Sequence, residues 1–134
     1  MITMQELLKD AKFEDQSQEI QDNLVELLVR INKVRAAYGK PMNVTSGLRS
    51  MADHLRIYAQ KGITDQSKIP MQSNHLYGRA VDISDPNREL QAWVLKNVKL
   101  MEEIGLWMED FGATPNWLHF QINPPKSGNR FFKP

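Results

Sequence analysis

Three polar side chains, His75, Asp82 and His119, have the types and positions that a metal site requires. Asp82 is central in the segment AVDIS and His119 in WLHFQI, and the alternation of apolar and polar residues in both segments predicts strands. Because successive side chains of a strand point to opposite faces, the apolar residues form the core face, and Asp82 and His119 share the open face. Gly78 lies between His75 and Asp82 and lets the chain turn, so we expect His75 to fold back over the strand.

Two imidazoles and one carboxylate form a typical ligand set for catalytic zinc, which takes three protein ligands and leaves a fourth position for water. A single carboxylate neutralises only part of the charge of Zn2+, so the ion remains a Lewis acid that polarises a carbonyl group. From the spacing alone, the alternative remains that each residue is a hydrogen-bonded structural residue. The chain has three histidines and no cysteine, which excludes a disulfide framework, a thiol nucleophile and a thiolate metal site.

Length and composition fit one globular domain. The chain has 134 residues, of which 41% are hydrophobic and 25% charged, and we expect a single domain over residues 1–134. Its formal net charge of +1 argues against electrostatic binding to nucleic acid or to an anionic membrane. No apolar stretch approaches the ~18 residues of a transmembrane helix. The N-terminal segment lacks the basic and apolar regions of a signal peptide.

The elements that must position the candidate ligands follow from periodicity and turn residues. Apolar residues at helical spacing predict a long helix over residues 17–38, which Gly39 and Pro41 end. The other predicted elements are helices over 4–12, 51–60 and 85 or 87 to 103, strands over 42–46, 80–84, 106–110 and 117–122, and a loop over 62–74. The Pro- and Gly-rich residues 123–134 are expected to cover the surface. This pattern predicts an α+β fold, in which helices cover one face of a small antiparallel sheet and the zinc site lies on the other.

Three motifs resemble those of the zinc D-Ala-D-Ala carboxypeptidase family, which includes VanX-like and VanY-like enzymes and phage endolysin peptidases. The run SNHLYGRAVD (73–82) is similar to the family signature S-x-H-x-x-G-x-A-x-D. The runs WLH (117–119) and TSGLRS (45–50) are similar to its W-x-H and S-x-x-R-S segments, and the three motifs occur in the family's order. The resemblance implies a hedgehog/DD-peptidase-like fold, Zn2+ as the cofactor and a peptidoglycan stem peptide as the substrate.

The resemblance also implies roles for individual residues. It makes the two histidines and the aspartate introduced above the zinc ligands. Arg49 would bind the substrate and stabilise the oxyanion of the reaction as a charge-assisted donor, and a surface salt bridge is the alternative for this arginine. Ser73 would form a hydrogen bond to the substrate near the metal, unless it only caps a turn. Trp117 and Gln121 are expected to border the site, with Trp117 forming part of the cleft wall.

The general base does not follow directly from the resemblance. Many members of the family have an acidic residue three positions before the last ligand, but this chain has Asn116 there, which cannot accept a proton. Glu109 and Asp110 are nearby acids, and strand alternation places Glu109 on the face of the metal site and Asp110 with the core-facing Leu106 and Met108. Phage-type relatives have a similar W-x-E segment before T-P-x-W-x-H, which favours Glu109. The alternative is that Glu109 is an ordinary surface residue.

We therefore expect a zinc-dependent peptidase, either a D-Ala-D-Ala carboxypeptidase or a peptidoglycan endopeptidase. The phage-like features favour a monomeric phage or prophage protein, which stays in the host cytoplasm until it is released to the cell wall, or is part of the virion. The alternative is a non-catalytic, zinc-stabilised binding or structural module of the same fold, because Asn116 leaves the base unassigned. His54, on a predicted helix away from the motifs, is expected at the surface, and Arg79 is expected to be a solvated charge.

Overall fold

The computed structural model describes residues 1–69 and 73–134 and has an α+β architecture, as the sequence predicts. The helices are α1 (Met4–Leu8), α2 (Gln18–Tyr38), α3 (Met51–Gln60), α4 (Glu89–Lys96) and α5 (Val98–Ile104). The strands are β1 (Val44–Ser46), β2 (Ala80–Ser84), β3 (Trp107–Glu109), β4 (Trp117–Gln121) and β5 (Phe131–Phe132). Short 3-10 turns cover Phe13–Asp15, Gln66–Lys68 and Asn74–Tyr77. Residues 70–72 of the predicted loop lie outside the described residues.

The strands form a sheet in the order β1-β2-β4-β3-β5. The pairs β1–β2, β2–β4 and β4–β3 are antiparallel, and the register of β2 with β4 sets Asp82 opposite His119. β5 runs parallel to β3, with Phe131 opposite Met108. The sheet is therefore mixed rather than wholly antiparallel. The difference arises because a short segment that we expected only to cover the surface pairs with the edge of β3.

The core lies between the sheet and the helices α1, α2, α4 and α5. Buried apolar side chains come from one face of β2, β3 and β4 (Val81, Ile83, Met108, Leu118, Phe120) and from the facing helices (Leu7, Leu24, Leu27, Ile31, Leu90, Val94, Met101). Burial of one such side chain stabilises the fold by roughly 1.5–3 kcal/mol. This packing leaves the opposite face of the sheet to polar residues, as the strand alternation predicts.

α2 forms where the helical periodicity predicts it. The side chain of Ser17 caps its N-terminus by accepting a hydrogen bond from the backbone N–H of Ile20, and Gly39 ends it in the left-handed conformation. α1 is shorter than predicted, because Lys9 has a positive φ of 57° and ends the helix at Leu8.

The helix predicted from residue 85 or 87 to 103 is broken into α4 and α5. Asn97 leaves helical geometry, with φ −130° and ψ 32°, and its Nδ2 donates to the carbonyl of Trp93 at 2.8 Å. Such local bonds between side chain and backbone compete with helical hydrogen bonding. Asp85 precedes α4 and accepts the backbone N–H groups of Leu90 and Gln91, so it satisfies the start of the helix without being part of it.

α3 borders the polar side of the sheet rather than the core. Its Tyr58 lines the same cavity as His75 and His119, and its buried residue is His54. α3 therefore helps to form the wall of the candidate site. None of the helices in the described ranges, 1–69 and 73–134, is long and apolar enough to cross a membrane.

Candidate metal centre

The structure brings together the three residues that the sequence proposes as metal ligands. Asp82 and His119 are register partners on the central strands β2 and β4, and they project from the face opposite the core. The 3-10 turn Asn74–Tyr77 carries His75 to the same place. One potential ligand atom from each residue lies within 4.8 Å of the other two. We call these three residues the His-Asp-His group.

The two histidines face Asp82 through different ring nitrogens. His75 Nε2 lies 3.3 Å from Asp82 Oδ2, and His119 Nδ1 lies 3.0 Å from Asp82 Oδ1. The other nitrogen of each ring has its own partner: His75 Nδ1 is 3.0 Å from the carbonyl oxygen of Gly47, and His119 Nε2 is 2.8 Å from Gln121 Oε1. The orientation of the Gln121 amide is set by its network, because its Nε2 donates to the carbonyl of Asn123.

These partners determine what the group can bind. A carbonyl oxygen and an amide oxygen only accept hydrogen bonds, so each ring must carry a proton on the nitrogen that faces Gly47 or Gln121. In a neutral ring, the nitrogen that faces Asp82 then carries a lone pair. Two lone pairs directed at one carboxylate repel it unless a proton or a metal cation lies between them. Metal-binding histidines have this same arrangement, with the second nitrogen donating to a carbonyl or carboxylate, so the residues fit a divalent cation.

The protonation equilibria of the metal-free group agree with this geometry. Burial of the Asp82 carboxyl acts to raise its pKa, but hydrogen bonds from His119 and His75 outweigh burial and hold the pKa well below its usual range. Burial acts to lower the pKa of His119, but its hydrogen bond with Asp82 and the nearby charge of Glu109 raise this pKa above the ordinary value. Without a metal, the group therefore holds a proton on His119 more strongly than a free imidazole does.

Two glycines allow the backbone to hold His75 in place. Gly78 ends the 3-10 turn with a φ of 71°, and a Cβ at this position would lie 2.9 Å from Leu24 Cγ. A Cβ at Gly47 would lie 2.2 Å from the carbonyl oxygen of Leu7, a contact that needs backbone movement. Gly47 therefore packs directly against the end of α1, and its carbonyl accepts the hydrogen bond from His75.

The His-Asp-His group lies in an open cleft of about 390 Å³. The four other residues that the sequence proposes for the site also line this cleft: Arg49, Ser73, Glu109 and Trp117. Gln121, which we expected to border the site, also lines the cleft, and the structure adds Tyr58, Asn74, Phe132 and Pro134. Strand parity places Gln121 on the face of His119, whereas nothing in the sequence pattern indicates that Tyr58 lies nearby.

Glu109 is the acid that the structure places beside the candidate ligands. Its Oε1 lies 3.8 Å from His119 Nδ1, and its side chain is largely buried, with 22% exposure. Asp110 is not among the described residues that line the cleft, and its backbone N–H donates to the carbonyl of Phe132. Asn116 is exposed, and its backbone carbonyl accepts a hydrogen bond from Asp85. Asn116, at the position that is acidic in many relatives, is therefore not among the described residues that line the cleft.

Arg49 is held by several contacts at the edge of the cleft. Its backbone N–H donates to the carbonyl of His75 at 3.0 Å, and its Nη2 donates to Ser46 Oγ at 3.3 Å. Its Nη1 lies 3.3 Å from Nδ1 of His54. These partners are a serine and a histidine rather than the carboxylate of a surface salt bridge. Ser73 precedes the 3-10 turn, but its side chain forms no capping hydrogen bond there.

Two expectations about surface residues are wrong. His54 is fully buried at 0% exposure, because α3 packs it against Arg49 and against the ring of Tyr58, whose centroid is 5.0 Å away. Arg79 is half-buried rather than solvated, and its guanidinium stacks over the ring of Tyr77 at 4.7 Å. Both contacts are between residues close in sequence, but they depend on side-chain orientation, which the pattern of apolar and polar residues does not give.

Comparison with known proteins identifies the class of the chain. A family model described as Peptidase M15 matches residues 1–120. The chain belongs to this family of peptidases, and its His-Asp-His group could hold a metal ion. The resemblance that the motifs indicate is thereby confirmed. No curated protein and no solved structure matches the chain.

Proposed function

We propose that the chain is a zinc peptidase that hydrolyses peptide bonds in bacterial cell-wall peptides. Family membership supports a peptidase of this kind. The observation that carries the proposal is the arrangement of His75 and His119 around Asp82. Their outer nitrogens donate to oxygen atoms, and their inner nitrogens converge on the carboxylate at 3.3 and 3.0 Å. This donor set matches the two-histidine, one-carboxylate ligand sets of catalytic zinc sites.

The roles of the surrounding residues follow from their positions in the cleft. A zinc ion held by the His-Asp-His group would supply a Lewis acid that polarises the scissile carbonyl and acidifies water. Glu109 lies beside His119, where its carboxylate accepts the proton of the attacking water and passes it to the leaving amine. Arg49 donates hydrogen bonds to the oxygen that becomes negatively charged. Ser73 and Trp117 bind and orient the peptide from the cleft wall.

The substrate we propose is the stem peptide of peptidoglycan, bound by a monomeric enzyme. The open cleft is compatible with two reactions: removal of a terminal D-alanine and cleavage of an internal bond. We also propose a phage or prophage origin, because the W-x-E and T-P-x-W-x-H segments are similar to those of phage-type relatives. Such a protein would act at the cell wall after release from the host cytoplasm, or as part of a virion.

A second candidate is a non-catalytic, zinc-stabilised binding module of the same fold. The observation that favours it is Asn116, which replaces the acid that many relatives use as the base. Glu109, with a carboxylate oxygen 3.8 Å from His119, favours the enzyme instead.

Mass spectrometry of peptidoglycan fragments tests the two candidates. Zinc-loaded protein is incubated with purified fragments, and new termini or free D-alanine are measured. The peptidase produces one specific product, which is absent when Glu109→Gln replaces the normal protein and present with the matched variant Asp110→Asn. Zinc binding with no product from any fragment would favour the binding module. A product that forms equally with Glu109→Gln would contradict the role of Glu109 but not the activity.

A further inference from the structure

A second cavity continues the cleft on one side. Asn74, Gln121 and Phe132 line both the cleft and this neighbouring cavity, which has a volume of about 580 Å³. We call it the basic trough, because Arg79, Lys126 and Lys133 line it. No described residue that lines the trough has a carboxylate side chain. A peptide that extends from the cleft along this side therefore meets positive charge.

Arg79 is the best-placed of these cations to bind a ligand. Its guanidinium stacks on Tyr77, which limits its freedom. Within residues 1–69 and 73–134, its side chain has no hydrogen-bond or ion-pair partner, and its Nε is buried without one. Neither Nη group of Arg79 has a hydrogen-bond partner among the described residues, and neither is a buried atom as Nε is. Because Arg79 lines the trough, these two groups can donate N–H bonds to the two oxygens of one bound carboxylate.

A second unpaired atom belongs to a residue that lines the same trough. Asn123 Oδ1 is buried and has no hydrogen-bond partner among the described residues. It is an acceptor, whereas Arg79 Nε is a donor. The wall of the trough therefore contains a guanidinium suited to a carboxylate and an unpaired acceptor of the kind that an amide N–H satisfies. A peptide with an acidic side group contains both complementary groups.

Hydrogen bonds connect the trough to the His-Asp-His group. Gln121 donates from Nε2 to the carbonyl of Asn123 at 2.9 Å, and its Oε1 accepts from Asn74 Nδ2 at 3.1 Å. The same Oε1 lies 2.8 Å from His119 Nε2. Asn74 and Gln121, which line both cavities, are therefore linked by hydrogen bonds to the candidate metal ligand His119. A ligand fixed in the trough would have a fixed position relative to the cleft.

We propose that the basic trough binds a free carboxylate of the peptide substrate, at a residue next to the bond held in the cleft. Arg79 donates hydrogen bonds to this carboxylate, and Lys126 and Lys133 add attraction at the exposed rim. The trough then selects peptides with an acidic side group over those in which it is a carboxamide. This inference rests on the proposed function, since it assigns a substrate feature to the same site.

Two matched substrates test the proposal: peptidoglycan stem-peptide fragments with free side carboxylates, and the same fragments with those carboxylates converted to carboxamides. Zinc-loaded protein is assayed for kcat and KM with each, alongside Arg79→Gln, Arg79→Lys and the control Arg88→Gln. Arg88 is an exposed arginine that is not among the described residues lining the cleft or the trough. Binding of the same fragments to metal-free protein is measured by calorimetry, which requires no turnover.

We expect Arg79→Gln to raise KM for the free-carboxylate fragment roughly tenfold or more, the scale for one hydrogen bond to a charged group, while kcat changes little. In Arg79→Gln, the preference for the free-carboxylate fragment over the carboxamide fragment should disappear. Arg79→Lys should recover part of the preference, and Arg88→Gln should behave as the unmodified protein. If Arg79→Gln does not fold, the same loss of preference should appear, at smaller size, in Lys126→Gln.

Three results would separate the two proposals. An equal loss on both fragments, or a preference that survives Arg79→Gln, overturns the trough while the peptidase stands. Binding that depends on Arg79 and on the carboxylate, without hydrolysis, overturns the peptidase while the trough stands. The absence of both hydrolysis and binding overturns both.

Discussion

A buried imidazole supports the arginine that lines the cleft: Nδ1 of His54 lies 3.3 Å from Nη1 of Arg49. An arginine can only donate, so the facing nitrogen of His54 must be the unprotonated acceptor. Arg49 is held from a second direction by Ser46 Oγ. The guanidinium is therefore oriented before any substrate arrives, which is the property that a donor to a developing negative charge requires.

Removal of this donor should affect turnover more than stability. We expect Arg49→Ala to lower kcat roughly 10²-fold, the scale for losing one oxyanion donor, with little change in melting temperature. Steady-state kinetics and thermal unfolding of the same samples check this. Parallel losses of activity and stability would show that Arg49 has a structural role instead.

The role of His54 can be separated from its packing by a pair of substitutions. An asparagine amide can place an acceptor oxygen near the position of Nδ1, whereas leucine fills similar space without an acceptor. We expect His54→Leu to lower kcat roughly tenfold or more, as expected for a lost hydrogen bond to a charged group, and His54→Asn to retain most of the activity. Comparable kcat values in the two variants would rule out positioning through the hydrogen bond, whatever their melting temperatures.

Glu109 should be needed for hydrolysis and dispensable for metal binding. We expect Glu109→Gln to cut kcat roughly 10²-fold or more, on the order of general-base effects, and to bind zinc normally. Asp110→Asn should be much milder, because Asp110 is not among the described residues lining the cleft. Asn116→Asp should change little, since that side chain is exposed. Near-normal turnover in Glu109→Gln would shift the base to another group.

Zinc binding should depend on the His-Asp-His group and on the side-chain amide of Gln121, which contacts His119. Purified protein should bind about one zinc ion per chain, as catalytic sites with three protein ligands do, and His119→Ala should lose most of it. Gln121→Leu removes the acceptor that orients His119, and we expect the zinc affinity to fall roughly 10–100-fold, the usual effect of losing such a partner. Elemental analysis and competitive titration with a chelator measure both. Unchanged affinity in Gln121→Leu would show that the strand alone orients His119.

The pKa of His119 predicts opposite pH trends with and without zinc. Its pKa is raised in the folded protein, so the protonated form contributes stability that is complete below the unfolded pKa, about 6.5, and is lost as the pH rises through the folded pKa. Metal-free protein should therefore become less stable across this range. Zinc competes with the same proton, so the stabilisation by zinc should grow as the pH rises.

Thermal unfolding at matched pH values, with zinc and with chelator, measures both trends. The metal-free trend should weaken in Asp82→Asn, because the carboxylate is the partner of the His119 proton. A metal-free stability that rises with pH in this range would contradict the raised pKa.

The sequence predicted the arrangement of Asp82 and His119 because both lie in strands whose alternation is regular. One face of each strand must enter the core, so the other face is determined. It also predicted α2 and its end at Gly39. The position of His75 needed the glycine turn and the family resemblance in addition.

Features that depend on individual side-chain contacts or on a strand edge could not be predicted in this way. His54 is a single polar residue on a short helix, and its burial involves contacts with Arg49 and Tyr58 that periodicity does not indicate. The break at Asn97 depends on one side-chain hydrogen bond that competes with continued helix. β5 spans only Phe131–Phe132, too short for any periodic pattern, and exists because β3 offers it an edge.

The parallel pairing of β5 with β3 brings a second part of the chain to the cleft. The His-Asp-His group and Glu109 all lie within residues 1–120, the span shared with the family, whereas Phe132, which lines the cleft, lies beyond it. The ring of Phe132 stands edge-on to His119 with centroids 6.2 Å apart. We therefore expect substitutions of Phe132 to reshape the opening of the cleft, while the His-Asp-His group, which β2, β4 and the 3-10 turn carry, keeps its place. Changes in β5 are therefore a route by which the substrate preference of this cleft could be altered, in evolution or by design.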